Sequence, residues 1–255
     1  MSLRRSDAHA QVDPSAGTHR SSRSSWQGRL ETSLGQALTA ALLLLAGCST
    51  VVFKSSFSAN ALGAPPSHDQ AVGTIDVSGA PGSIVIVGPV PNSASNWVQI
   101  ERTDREAPTP AMECSLASFQ PLGSYGLAAS VYIPSGAGLA TVEFDTAADV
   151  AGPGYLSFLH LDFLQNNTVR INDDGRTVFG TFPRDRFFSI AVNLNTTDSS
   201  ATAHVVLGGG ASGTADYIVP DTNLAKLFGA VKFWIGYPWT GLFKVTDILV
   251  LRSNR

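Results

Sequence analysis

The sequence predicts an all-β fold in which two antiparallel sheets pack as a sandwich. Helical periodicity is nearly absent after residue 48, and short runs rich in Val, Ile, Phe and Thr are separated by clusters of Gly, Pro, Asn, Asp and Ser. That pattern is typical of a sandwich or barrel. Residues 48–255 are predicted to form one domain, because single all-β sandwiches commonly run to roughly 200–250 residues.

The predicted strands alternate between an apolar and a polar face. Val142 and Phe144 are expected to face the core, whereas Glu143 and Asp145 are expected to face solvent, as in an antiparallel sheet that is buried on one side. Two such sheets hide their apolar faces between them. The predicted strands are Val72–Val77, Ser83–Val87, Trp97–Glu101, Gly126–Ile133, Ala140–Thr146, Tyr155–Phe163, Thr168–Ile171, Thr177–Gly180, Phe187–Leu194, Thr202–Leu207, Val231–Gly236 and Leu242–Leu251.

Three local features are predicted between and within these strands. Asn172–Gly175 is expected to form a hairpin turn, because an Asp-Gly pair supplies the positive φ angles that tight hairpins need. Asp221 or Thr222 can cap one helix of about two turns that ends at Gly229. A bulge near Thr246–Asp247 would turn all the apolar side chains of the last strand inward.

Residues 1–47 are predicted to be an export signal with an unstructured leader. An Arg-containing leader precedes an apolar run that ends in small residues, which indicates a secretory signal and not a membrane span. A short buried helix is the alternative. The segment Leu45-Ala46-Gly47-Cys48 resembles the bacterial lipobox. The resemblance implies cleavage before Cys48, a lipid on its thiol and attachment to the bacterial envelope, and Ser49 favours the outer membrane.

Composition bears on the partners of the mature chain. The net charge is −3, with +2 from residues 1–47 and −5 from the remainder. The mature sequence therefore lacks the basic patch that a nucleic-acid binder needs. It also lacks a second apolar run of about 18 residues that would span a membrane. Cys114 is expected to be a small buried hydrophobic residue.

The order of these features resembles the concanavalin A-like, or laminin-G-like, jelly-roll domains. The resemblance covers roughly residues 53–252 and implies an antiparallel jelly roll. Lectins, glycan hydrolases, lyases and adhesion modules share that fold, so the fold does not choose among these functions. The segments that carry the resemblance are Phe53–Phe57, Leu62–Pro66, Ala140–Asp145, Tyr155–Phe158, Phe188–Leu194, Ala203–Leu207 and Gly241–Val250.

Two acids on one strand raise the hypothesis of a glycan hydrolase. Retaining hydrolases of this fold carry three acids along one strand, where alternation places a nucleophile and an acid on the same face. Glu143 and Asp145 match the first two acids, but the third is missing, and Asp149 follows at a spacing that leaves the strand. Acids on the solvent face of a strand are also common without any catalytic role.

A second hypothesis combines two histidines and an acid. His160 and Asp162 alternate on one predicted strand and share a face with Phe158, while His204 lies on another strand. If the two faces met, the three side chains could act in acid–base chemistry or hold a metal. The alternative is that each is an ordinary surface residue, so they are weak catalytic candidates.

Asp247 is the single candidate metal ligand. Some jelly-roll carbohydrate-binding modules hold a structural calcium ion with one acid on the last strand and one near the first strand. Asp247 matches the last-strand position by this resemblance, but Lys54 and Ser55 stand where the other acid is expected. The alternative is that Asp247 satisfies backbone groups at the predicted bulge.

Three aromatic residues predict a sugar-binding surface. Trp234, Tyr237 and Trp239 surround a turn rich in Gly and Pro, and Trp234 alternates with core residues, so its ring is expected on the outer face. Exposed aromatic rings on a rigid turn are a reasonable binding surface. The alternative is that the rings fold back and cap the sandwich.

The leading functional hypothesis is a lipid-anchored envelope protein with a non-enzymatic, glycan-binding jelly-roll domain. A glycan-active enzyme of the same fold, either hydrolase or lyase, is the second hypothesis. A structural or adhesion protein of the envelope is the third. No cofactor is expected beyond the calcium ion considered at Asp247.

Overall fold

The structure is a computed structural model of the chain, and it describes residues 49–67, 72–117, 122–147, 156–171 and 177–253. The predicted signal, Cys48 and the predicted turn Asn172–Gly175 lie outside the described residues. Within the described ranges the chain forms fifteen strands and one helix. No helix of this part is long and apolar enough to cross a bilayer.

The strands are numbered in chain order. They are β1 Ser49–Ser55, β2 Thr74–Ser78, β3 Ile84–Val87, β4 Trp97–Arg102, β5 Ala111–Ser115, β6 Gly123–Tyr132, β7 Ala140–Thr146, β8 Ser157–Phe163, β9 Thr168–Ile171, β10 Thr177–Thr181, β11 Phe187–Thr196, β12 Ala201–Gly208, β13 Ser212–Ile218, β14 Phe228–Trp234 and β15 Gly241–Ser253. The helix, α1, is Thr222–Ala225.

The strands form two layers. Sheet A has the order β2-β5-β14-β7-β8-β9, and sheet B has the order β13-β12-β11-β6-β15-β4-β3. Strand β1 also pairs with β15, and β10 joins β9 to β13. All of these pairings are antiparallel. The predicted two-sheet antiparallel sandwich is therefore confirmed.

The core lies between the two layers and is rich in aromatic rings. Tyr125 of β6 meets Phe228 of β14 edge-on, with ring centroids 5.1 Å apart. Phe163 of β8 meets Phe188 of β11 at 5.5 Å. Each pair joins one sheet to the other and is fully buried or nearly so. Buried aromatic rings supply large apolar areas, and these contacts therefore contribute strongly to holding the sheets together.

The hydrogen-bonded ladder connects sheet A to sheet B through β10 and β13, where two glycines face each other. Gly180 of β10 pairs with Gly213 of β13. A Cβ atom at Gly213, whose φ is +151°, would lie 2.6 Å from the Cα atom of Gly180. Glycine at both positions permits this close approach of two backbones.

The predicted bulge in the last strand is confirmed. The register between β15 and β6 shifts between Thr246 and Leu249, and Asp247 has a φ of +51°. The shift turns Val245 and Ile248 to the same side, where both are fully buried. The helix prediction is correct at its start, because the Asp221 side chain accepts hydrogen bonds from two backbone N–H groups. It is wrong in length, because Phe228 already begins β14.

Three strands differ from the sequence prediction, which did not include them. These are β1, β5 and β13. Strand β5 is short and lies inside sheet A, where its neighbours β2 and β14 supply its backbone partners. Strand β13 has the sequence Ser-Gly-Thr-Ala-Asp-Tyr-Ile, in which Gly213, Ala215 and Asp216 belong to types that are depleted in strands. Pairing with β12 determines its conformation.

Candidate functional site on the outer face of sheet A

Polar side chains from four neighbouring strands form a row across the outer face of sheet A. In the strand register, Glu113 of β5 lies opposite Lys232 of β14, which lies opposite Glu143 of β7. Glu143 in turn lies opposite His160 of β8. Side chains at paired positions share a face. The register therefore brings together residues that are far apart in the sequence.

A second row lies beside the first. Trp234 of β14 is opposite Thr141 of β7, Thr141 is opposite Asp162 of β8, and Asp162 is opposite Arg170 of β9. Two of the predicted catalytic candidates, His160 and Asp162, thus lie on the same face as one predicted sugar-binding residue, Trp234. We call the two rows, with Asp145, the charged face.

Lys232 is the central cation of the charged face. Its Nζ contacts Glu143 directly and lies 3.4 Å from Oδ2 of Asp145. The Nε2 atom of His160 lies 3.7 Å from Oε1 of Glu143 on the other side. Burial lowers the pKa of Lys232, but Asp145 and Glu143 outweigh that effect and raise it. Lys232 therefore stays charged between its two acids.

Asp162 organises the second row. The Thr141 hydroxyl donates a 2.9 Å hydrogen bond to its Oδ1. Arg170 donates from Nε at 3.2 Å and from Nη2 at 2.6 Å to its Oδ2. An arginine that donates twice to a carboxylate is held in a fixed orientation. Arg170 is therefore positioned on this face by a buried acid.

The acids of the charged face are buried, although the sequence predicts Glu143 and Asp145 on a solvent face. Both side chains lie on the predicted face of the strand, but the prediction that they are exposed to solvent is wrong. Asp145 and Asp162 are only 1% and 2% exposed, because side chains from adjacent strands, such as Lys232, extend over this part of the sheet. Lys232, His160 and Arg170 are each about one-quarter exposed. The surface that a ligand meets is thus formed by nitrogen atoms above a layer of acids.

Asp145 is the acid least compensated by its surroundings. Burial raises its pKa, the charge of Lys232 lowers it, Glu143 raises it further, and the net result is a pKa of about 6. The Nζ of Lys232, 3.4 Å from Oδ2, offsets only part of the effect of burial. Burial away from water favours the neutral form of a carboxyl group.

Trp234 provides the aromatic surface beside these charges. Its neighbours Phe233 and Ile235 are fully buried in the core, whereas Trp234 is half-buried, as alternation predicts. The Nζ of Lys232 lies 5.0 Å from the centroid of its ring. The ring also leans toward Gly236, where an added Cβ would lie 2.9 Å from it. Trp234 is therefore held between Lys232 and the following turn.

The other two predicted sugar-binding residues are exposed on that turn. Tyr237 is 71% exposed and Trp239 is 47% exposed, and the turn closes with a hydrogen bond from the Trp239 N–H to the Gly236 carbonyl. The guanidinium of Arg102 lies 5.8 Å from the centre of the Tyr237 ring. Neither ring folds back to become part of the buried core.

His204 does not join the other two catalytic candidates. It lies on β12 of sheet B, where its Nδ1 is 2.6 Å from Oδ1 of Asp216 on β13. The face of Phe158 is also not the predicted one. The register shifts by one residue between β7 and β8, and Phe158 turns inward against Phe228. The proposed cluster of two histidines and Asp162 is therefore not assembled.

Asp247, the predicted calcium ligand, lies at the bulge of β15. Asp247 is exposed at the bulge, and Ser55 pairs with the adjacent Ile248. The described residues include no group of three or more His, Cys, Asp and Glu side chains that would hold a metal ion. The calcium site expected at Asp247 stays a prediction. Cys114 is buried and free, as expected, and burial followed by the charge of Glu113 raises its pKa.

The sequence analysis missed Lys232, Arg170 and Glu113 as parts of the site. Lys232 stands alone among apolar residues, between Val231 and Phe233. A single charge in such a run indicates a polar outer face on a central strand. Arg170 and Glu113 carry no comparable local indication, because their partners come from strands distant in the sequence.

No family model matches the chain, and no curated protein matches it. Solved structures do. The carbohydrate esterase of the Shiga toxin-encoding bacteriophage phi24B is 10% identical, with a TM-score of 0.55 over 81% of this chain and 100% of the other. The catalytic domain of the glycoside hydrolase family 131 protein of Coprinopsis cinerea is 15% identical, with a TM-score of 0.51 over 78% and 93%.

Lectins are also among the matches. Lectin UEA-II in complex with galactose is 11% identical, with a TM-score of 0.47 over 82% of this chain and 99% of the lectin. At these identities the likeness concerns the fold alone. The predicted antiparallel jelly-roll sandwich is confirmed at the level of the fold, which the chain shares with the esterase and the hydrolase domain.

Proposed function

We propose that this protein is a lipid-anchored envelope protein whose jelly-roll domain binds a glycan across the charged face and the neighbouring aromatic turn. The observation that carries the proposal is the position of Trp234. Its half-buried ring lies beside Lys232 and in the same row as Arg170. A flat ring accepts the apolar side of a sugar, and N–H donors next to it reach the hydroxyl groups.

Binding is favoured over catalysis because of where the acids lie. Glu143 and Asp145 are nearly excluded from solvent and share one cation. A carboxylate that attacks or protonates a glycosidic bond has to reach the sugar. The accessible atoms of this face belong instead to a ring and to donors, which suits recognition.

The binding test is a broad glycan array probed with the purified full chain, followed by titration of any glycan that binds. We expect Trp234→Ala to weaken binding about ten-fold or more, corresponding to a loss of about 1.4 kcal/mol. Val178→Ala, which removes an exposed apolar group on β10, serves as the matched control and should leave binding unchanged. Equal affinities of the two variants, or no binding to any glycan by folded protein, would contradict the proposal.

A glycan-active enzyme is the second candidate, and one observation favours it. The raised pKa of Asp145, about 6, makes this residue a proton donor near neutral pH, two residues from Glu143. Incubation of the bound glycan with wild type and with Asp145→Asn distinguishes the candidates. Cleavage by wild type that the variant lacks would establish an enzyme, and an intact glycan would support a binding protein.

The anchoring part of the proposal depends on Cys48, and it has its own test. We expect mass spectrometry of the protein purified from a bacterial membrane to show a lipid-modified Cys48 as the first residue. Cys48→Ser should be recovered without the lipid and outside the membrane fraction. An unmodified Cys48 in the wild-type protein would remove the anchor but leave the glycan-binding proposal intact.

A further inference from the structure

The two ends of the sandwich differ, and the strand register identifies them. At one end Ser49, the first residue of β1, pairs with Ser253 of β15. At the other end Gly241, the first residue of β15, pairs with Arg102 and directly follows the turn that carries Tyr237 and Trp239. We call these the β1 end and the turn end. Strand β15 joins them, and twelve steps of about 3.3 Å place them roughly 35–40 Å apart.

Strand β1 begins directly after the predicted lipid attachment residue. Ser49 and Thr50 are already paired with β15, opposite Ser253 and Arg252. A lipid on Cys48 would therefore be joined to the folded sandwich with no intervening linker. A flexible linker would let the domain turn freely above a membrane, and here none separates the predicted anchor from the paired strand.

The β1 end carries exposed aliphatic side chains. Ile218, at the end of β13, is 75% exposed, and Val51 and Leu122 are also exposed. Successive antiparallel pairings through Ser124, Asn195 and Thr202 place Ile218 at the same level as Ser253.

Among the described residues, charged side chains of both signs lie near the β1 end. Arg252 and Lys226 are cations, and Asp198, Asp216 and Asp221 are acids. Arg252 donates to the carbonyl of Leu122, and Lys226 donates to that of Asp198. The described part of this end therefore presents exposed aliphatic groups among charges of both signs, which suits contact with the interfacial region of a lipid bilayer.

We propose that the β1 end rests on the bilayer that holds the Cys48 lipid, and that the turn end faces away from it. This inference rests on the proposed lipid anchor. It fixes an orientation, since the strand that follows Cys48 cannot rotate independently of the sandwich. The orientation also restricts the class of glycan that can bind. Tyr237 and Trp239 lie roughly 35–40 Å above the membrane, where they contact a glycan chain from the aqueous side and not the headgroups of the anchoring bilayer.

Site-specific quenching of a fluorescent label tests the orientation. Ile218→Cys and Trp239→Cys each provide one accessible thiol for the label, because Cys114 is fully buried and Cys48 would be blocked by its lipid. The labelled, lipidated proteins are reconstituted into vesicles of phosphatidylethanolamine and phosphatidylglycerol that contain a headgroup-linked quencher. We expect quenching at 218 to exceed quenching at 239 by several-fold. Equal quenching, or stronger quenching at 239, would overturn the orientation.

A linker variant separates the orientation from the anchor. Ten Gly and Ser residues inserted between Cys48 and Ser49 should keep the protein on the vesicles and remove most of the difference between the two labels. An unchanged difference would show that the missing linker does not set the orientation. Mass spectrometry of each preparation identifies the other failure: protein without lipid on Cys48 would remove the anchor and this inference together, whereas lipidated protein with equal quenching removes the orientation alone.

Discussion

The outer faces of the two sheets differ in the residues that are buried there. On sheet A, Glu143, Asp145 and Asp162 are buried by interaction with longer side chains from adjacent strands. On sheet B, the buried outer positions include small residues such as Ala128 and Ser130. Burial of a charge destabilises the folded state unless the charge is paired, and small residues have no charge to bury. The contrast predicts that removing one member of a charge pair lowers the stability of the protein more on sheet A than on sheet B.

The largest expected effect comes from removing the central cation of sheet A. Lys232→Met would leave Glu143 and Asp145 buried without their shared partner, and we expect a loss of about 3 kcal/mol in the free energy of unfolding. Urea denaturation measures it. Lys244→Met is the matched control on sheet B, where Lys244 lies over the Tyr132 ring at 5.7 Å, and it should cost less than about 1 kcal/mol. Similar losses of unfolding free energy in both variants would contradict the prediction that the lysine of sheet A contributes more to stability.

The second effect is a pH dependence that comes from Asp145 on sheet A. The pKa of Asp145 is raised from 3.8 to about 6 in the folded protein, so the folded state holds this proton more tightly than the unfolded state. The stabilisation from that proton is complete below pH 3.8 and disappears as the pH rises through about 6. When complete it amounts to about 3 kcal/mol. Asp145→Asn, which cannot ionise, does not lose it.

Urea denaturation of wild type and Asp145→Asn at pH 4, 5, 6 and 7 measures this difference. The stability of the variant relative to wild type should rise by on the order of 2 kcal/mol from pH 4 to pH 7. Lys232, Glu143 and His160 surround Asp145 in both proteins, so their own effects largely cancel in the comparison. A difference that stays constant with pH would mean that Asp145 titrates normally in the folded state.

The sequence predicted those features that depend on neighbouring residues. The change of apolar phase around Thr246–Asp247 predicted the bulge, and Asp221 predicted the start of α1, because both are local. Alternation placed Glu143 on the correct face, but it does not report how far neighbouring strands cover that face. The row from Lys232 to His160 arises from pairing between distant strands. Register of that kind has no signature in a single sequence.

The third and smallest effect compares one hydrogen-bonded acid from each sheet. Asp162 is buried and accepts from Thr141 and Arg170, so Asp162→Asn should lower the free energy of unfolding by about 1.5 kcal/mol. The acid of the pair formed by His204 and Asp216 is 87% exposed, so Asp216→Asn should cost less than about 0.5 kcal/mol. Urea denaturation at pH 7 gives both values. Equal losses would mean that burial of the acid does not determine how much each pair stabilises the protein. The expected order would mean that the charge network of sheet A contributes more to stability than the exposed pair on sheet B.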